Sequence, residues 1–126
     1  MKLEIISTNN APAAIGPYSQ AVKAGNLLFC SGQIALDPST GEMVQGDVVV
    51  QSERVMANIV AMLAAAGTEL SNVAKTTIYL ADMGDFAAVN EIYGRYFSQH
   101  KPARSTVAVK GLPRGALLEI EVTAVV

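Results

Sequence analysis

In this 126-residue chain the side chains best placed to do chemistry are two acids, an arginine and a short run of small polar residues. Glu119 and Glu121 stand two apart in Leu118-Glu119-Ile120-Glu121, so on a strand both carboxylates share one face. That pair suits acid–base work. It equally suits a polar strand face turned to solvent, where adjacent like charges repel. Arg104 follows Pro102-Ala103 and precedes Ser105 and Thr106. At the head of a strand its guanidinium could grip a carboxylate through two parallel hydrogen bonds, with Thr106 on the same face. An exposed arginine or a structural ion pair is the plainer alternative. Cys30-Ser31-Gly32-Gln33 closes an apolar run. Ser31 offers a hydroxyl and Gly32 lets a ligand approach the backbone, while a buried cysteine followed by turn residues would give the same letters. Tyr18, within Ile15-Gly16-Pro17-Tyr18-Ser19, could supply a phenol, an aromatic wall or a loop anchor.

Other chemistries are poorly served. His100 precedes Lys101-Pro102 and belongs at a helix end, not in a hydrolase triad. There is no phosphate-binding glycine loop and no dinucleotide fingerprint. One histidine and one cysteine, Cys30, do not make a structural zinc site, so no metal is expected. A single cysteine also forms no intrachain disulfide, and a reducing compartment fits. The net charge of −2 weighs against a dedicated nucleic-acid binder. Charge is nonetheless uneven: no acid lies between residues 92 and 118, where Arg95, Lys101, Arg104, Lys110 and Arg114 fall. A local basic stretch in an acidic protein suits a small anion better than a long polyanion. No apolar run reaches the roughly 18 residues of a membrane span, and the N-terminus lacks the apolar core of a secretory signal. A soluble cytoplasmic protein is the expectation.

The elements that must hold these residues read as β-ββ-α-β-α-ββ. Residues 2–6 form a strand, and 20–23 and 27–34 pair as a hairpin across Ala24-Gly25-Asn26. Asp47 caps a helix of about five turns that Gly67 stops. Its apolar face carries Val55, Ile59, Met62 and Ala66, and its wet or small-residue face Gln51, Arg54, Asn58, Ala61 and Ala65. Residues 73–81 form a strand. Asp85 caps a second helix with the stripe Phe86, Val89, Tyr93 and Tyr96 or Phe97, ended by Pro102. Residues 104–110 and 117–126 are the last strands. Helical crossovers make their flanking strands parallel, so a single α+β domain over residues 1–126 is expected, a mixed sheet with both helices on one face. The composition, 51% hydrophobic and 16% charged, then leaves apolar surplus on the uncovered face. Leu117, Glu119, Glu121, Thr123 and Val125 fall on one side of the last strand and Leu118, Ile120, Val122, Ala124 and Val126 on the other, and only one side can meet the helices. A second copy of the chain is the simplest cover.

Several separate motifs together resemble the RidA/YjgF family: Pro102-Ala103-Arg104-Ser105-Thr106-Val107, Gly111-Leu112-Pro113, Leu118-Glu119-Ile120-Glu121, Ala14-Ile15-Gly16-Pro17-Tyr18-Ser19-Gln20, Ser31-Gly32-Gln33-Ile34, and Asp85-Phe86 through Val89-Asn90. The resemblance implies a chorismate-mutase-like α+β fold assembled as a homotrimeric barrel, with sites in clefts between subunits. It implies an enamine/imine deaminase without cofactor, hydrolysing 2-aminoacrylate or 2-aminocrotonate and their 2-imino tautomers to 2-oxo acids and ammonia. On that resemblance Arg104 clamps the substrate carboxylate, the Gly32 amide adds a contact, and Glu119 activates water. Tyr18 and Ser31 orient water or substrate, and Asn90 and Thr106 belong to the substrate pocket. Thr106 stands where many members have cysteine, which rules out an essential thiol there and leaves the substrate subgroup open. Two other readings stand beside this one: a non-catalytic module that binds small ligands, and the ribonuclease or translation-inhibitor activity attributed to some relatives.

Overall fold

The structure, a computed structural model, describes residues 2–126. Strands β1 (Leu3–Ile6), β2 (Ala21–Ala24), β3 (Leu27–Cys30), β4 (Val73–Leu80), β5 (Ala103–Ala108) and β6 (Leu118–Val125) join helices α1 (Val48–Ala65) and α2 (Phe86–Tyr96). The six strands make one sheet in the order β1-β2-β3-β6-β4-β5. Only β4 and β5, joined through α2, pair in parallel; β6 runs antiparallel to both β3 and β4, so those two share a direction across α1. This is the mixed α+β sheet expected of two helical crossovers.

Local chemistry accounts for the element ends. The β2–β3 hairpin turns on Gly25 and Asn26, with Gly25 at φ 62°, a conformation costly for a residue with a Cβ. Asp47 caps α1 by accepting from the Val49 and Val50 amides. At the other end Thr68 N–H donates to Leu63 O and Gly67 N–H to Ala64 O, with Gly67 at φ 78°, a complete Schellman motif. Asp85 does not cap α2 with its side chain. Asp82 instead accepts from Gly84 N–H and starts a single 3-10 turn, Met83–Asp85, that leads into the helix. The expected long strand over 27–34 also stops early, at Cys30. Beyond it Gln33 bridges to β6, exchanging hydrogen bonds with Ile120.

The core lies between the helices and one sheet face. Leu28, Ile78, Leu80, Leu118, Ile120, Val122 and Ala124 are buried there against Val55, Met56, Ile59, Met62, Leu63, Val89 and Ile92. By length and composition alone α1 could cross a bilayer, but its inner face is built into this core. Gln51 and Asn58, expected on the wet face of α1, are buried. Gln51 Oε1 accepts from Leu117 N–H, and the Asn58 amide donates to Ile34 O and Leu36 O. These two side chains bind loop backbone that has no strand partner, which removes the cost of burying either group.

The opposite sheet face carries no helix. Ile5 is 68% exposed and Phe29 47%, with Leu3, Leu27, Val107 and Val125 also exposed. The register puts Ile5, Val22, Phe29 and Thr123 side by side on this face. The apolar surplus of the composition therefore collects on one flat surface.

Candidate active site

Strand parity decides where each candidate points. Arg104 pairs with Thr76, which is fully buried on the helix face, so Arg104 rises on that face too. Glu119 pairs with Tyr79 on the uncovered face. The two charged candidates thus stand on opposite sides of the sheet, in separate clefts.

The first cleft, about 460 Å³, lies between α2 and the start of β5. Asn90, Tyr93, Gly94, Lys101, Pro102 and Arg104 are among its walls. Arg104 Nη1 donates to Asn90 Oδ1 at 2.7 Å. Its guanidinium carbon sits 5.0 Å from the centre of the Tyr93 ring and 5.5 Å from that of Phe86. No carboxylate pairs with Arg104 among the described residues, whereas Arg95 meets Glu53 and Glu91, and Arg114 meets Glu42. A guanidinium held in place without an acidic partner keeps N–H groups that could bind an anion. Thr106 shares this sheet face, opposite Ile78, but lines neither cleft.

The second cleft, about 510 Å³, collects Tyr18, Ser31, Gly32, Arg114 and Glu119 under apolar walls that include Ile15, Ile34 and Pro113. Tyr18 is more than half exposed, so it is a wall and not a core anchor. Its loop is stiff: Tyr18 N–H donates to Gly16 O across Pro17, and Gly16 has φ 127°. Ser31 O–H donates to Ser19 O at 2.6 Å, while Ser31 N–H donates to Gln20 O. The serine hydroxyl therefore ties the Tyr18 loop to the end of β3 and offers the cleft only its lone pairs. Gln20 extends this brace. It accepts from Thr8 N–H and donates to Thr8 O, Ala11 O and Pro12 O.

Glu119 lies directly over Gly32. A Cβ on that glycine would run into Glu119 Oε2 and come within 2.8 Å of its Cδ. The missing side chain at position 32 is thus the space the carboxylate occupies. Burial pushes the Glu119 carboxyl above its usual range, and the charge of Glu121 adds to the rise. Glu121 is otherwise engaged, accepting from Tyr79 O–H at 2.9 Å. The expected pair of acids is therefore split: one is bound by a phenol, and one is half-buried in a cleft with its proton affinity raised.

The remaining candidates are inert or structural. Burial alone drives the Cys30 thiol up to about 12, so it is no nucleophile at neutral pH. His100 Nε2 lies 2.6 Å from Val73 O and ties the end of α2 to the start of β4. Gln20, Gln51 and Asn58 were not singled out from the sequence. For α1 the available signal was an amide three or four residues from apolar positions, and that spacing does not separate a wet face from a docked loop.

Comparison with known proteins bears on these clefts. A family model described as "Endoribonuclease L-PSP" matches residues 8–126. A Myxococcus xanthus protein named DfrA is 59% identical over 99% of this chain and 97% of its own length. The Mus musculus protein named 2-iminobutanoate/2-iminopropanoate deaminase is 52% identical over 97% of this chain and 90% of its own. The solved structure of E. coli TdcF with bound serine superposes with a TM-score of 0.92 at 43% identity, covering 98% of each chain.

Proposed function

The chain belongs to the endoribonuclease L-PSP family, which is the RidA/YjgF family, and on that footing we propose that it is an enamine/imine deaminase. Its substrates are small 2-imino acids of the 2-aminoacrylate and 2-aminocrotonate type, and its products are 2-oxo acids and ammonia. The observation that carries this reading is Arg104, held by Asn90 and two aromatic rings and left without an acidic partner. Such a group suits the one feature shared by all these substrates, a carboxylate beside the reacting carbon. The serine bound to TdcF shares with these substrates a carboxylate on the carbon that bears nitrogen.

The reaction asks little more. Water adds to the imine carbon as one of its protons passes to the imine nitrogen; the carbinolamine then passes its hydroxyl proton to the amine, and the C–N bond breaks to give the 2-oxo acid and ammonia. Glu119 carries both protons, first from water and then from the carbinolamine hydroxyl, to nitrogen, a role that its raised proton affinity favours. Tyr18 lies beside it in the same cleft. No cofactor is required, because imines hydrolyse readily once positioned.

One chain keeps Arg104 and Glu119 on opposite sheet faces, so a complete site requires a second copy. We infer a homotrimer in which the uncovered sheet face is buried and Glu119 of one subunit meets Arg104 of the next. The exposed Ile5, Phe29 and Val107 support that face as the interface. The ribonuclease reading has less support, since the net charge is −2 and two of the five cations in the basic stretch, Arg95 and Arg114, are paired with acids.

The test generates the imine in situ with an amino-acid dehydratase and follows 2-oxo acid and ammonia release. Wild-type protein accelerates both. Arg104→Ala lowers kcat/KM about a hundredfold, the loss of one charge-assisted pair, at unchanged sedimentation. Full activity in that variant refutes the clamp. An inert wild type that binds 2-oxobutanoate replaces the deaminase with a ligand-binding module.

A further inference from the structure

Arg104 is gripped by three residues from one stripe of α2: Phe86, Asn90 and Tyr93, four and then three positions apart. Asn90 takes one of the five guanidinium N–H groups. Phe86 and Tyr93 contact the guanidinium through their rings, which leaves the other N–H groups for a ligand. Tyr93 is itself fixed. Its hydroxyl lies 2.7 Å from Thr76 Oγ1, a fully buried contact, and its ring stands 4.7 Å from that of Phe97. Thr76 is also the β4 residue in register with Arg104. One strand position thus anchors the tyrosine that supports the arginine one strand away.

We infer that Tyr93, tethered by Thr76, is a positioning residue for the deaminase: it sets the plane in which Arg104 presents its free N–H groups to the substrate carboxylate. The inference rests on the carboxylate-clamp role of Arg104. The Tyr93 hydroxyl is occupied by Thr76 and takes no part in proton transfer, so the tyrosine acts through its ring. Cation–π contact of this kind is the physical link.

Because the carboxylate is present in both substrate and transition state, loss of the platform weakens binding more than turnover. Tyr93→Leu is expected to raise the KM for the imine and the Kd for 2-oxobutanoate about fivefold, with kcat within about twofold. Tyr93→Phe keeps the ring and recovers most of that affinity, and Thr76→Val, which frees the hydroxyl, raises Kd about twofold. In an Arg104→Ala background Tyr93→Leu has no further effect on Kd. Additive effects in that cycle, or a loss confined to kcat, overturn the inference. A readout without ligand separates it from the deaminase reading. The Arg104 Nε–H signal in NMR is shifted by ring currents in the wild type and in Tyr93→Phe, and moves toward the free-arginine position in Tyr93→Leu. If no 2-oxo acid binds the wild type, the clamp fails while this shift still decides the platform. A signal unmoved by Tyr93→Leu refutes the platform whatever the activity.

Discussion

Replacing Gly32 with alanine separates the acid from the fold that holds it. The added Cβ would fall on Glu119 Oε2 and stand 2.8 Å from Cδ, where ordinary contact begins near 3.4 Å. The carboxyl carbon must retreat by about 0.6 Å and the oxygen by more. Gly32 is exposed and lies outside the left-handed region, so alanine fits its backbone. Stability then changes little: moving Glu119 off its rotamer costs about 0.5–1.5 kcal/mol. Stiffening the unfolded chain returns about 0.4–1 kcal/mol. Catalysis is more exacting, since a displacement of about 1 Å in a reacting group can cost about a hundredfold in rate. Gly32→Ala is therefore expected to lower kcat in the dehydratase-coupled assay by about 10–100-fold, which is about 1.4–2.7 kcal/mol of barrier. Its melting temperature and its Kd for 2-oxobutanoate should stay near those of the wild type. A variant with kcat within twofold of wild type would refute the placement of Glu119 as the proton-transfer group. A loss seen only in Kd would instead mean that the Gly32 amide itself contacts the ligand.

Four further outcomes follow from the structure. Activity should fall on acidification through the raised Glu119 pKa, and Glu121→Gln, by removing the neighbouring charge, should shift that acidic limb of the kcat/KM profile to lower pH; an unmoved limb would remove Glu119 from the mechanism. A carboxyl whose folded pKa is raised adds stability that is present at low pH and lost as pH rises through that pKa, so Glu119→Gln should melt no lower than wild type near neutrality. Phe29→Lys, in the middle of the uncovered sheet face, should sediment as a monomer at micromolar concentration and lose the proposed deaminase activity along with the proposed trimer; an active, stable monomer would refute the composite site. Asn58→Ala strands the Leu36 carbonyl and leaves Ile34 O only the Leu36 N–H, and should cost about 2 kcal/mol, or about 6 °C in Tm, by thermal denaturation; a shift under about 2 °C would mean that water replaces the amide.

What the residues alone determined is what depends on neighbours along the chain. Apolar spacing located both helices, alternation split β6 into two faces, and Asp47 and Gly67 marked the ends of α1. The motifs around Tyr18, Ser31, Arg104 and Glu119 identified the family, and the family implied roles for them. Tertiary structure decided everything that required one strand to be placed against another. Alternation says that Arg104 and Thr106 share a face, and that Glu119 and Glu121 do, but not whether those faces coincide. The order β3-β6-β4-β5 answers that through pairings that join residues 27–30 to 118–125 and 73–80 to 103–108, and it puts the two sets back to back. The same order buried Gln51 and Asn58, because loop carbonyls and amides without strand partners must be met by whatever side chain lies nearest. It also gave Gly32 its purpose, as the gap that Glu119 fills, which no local pattern records because the two positions meet only when residues 31–33 fold back on β6.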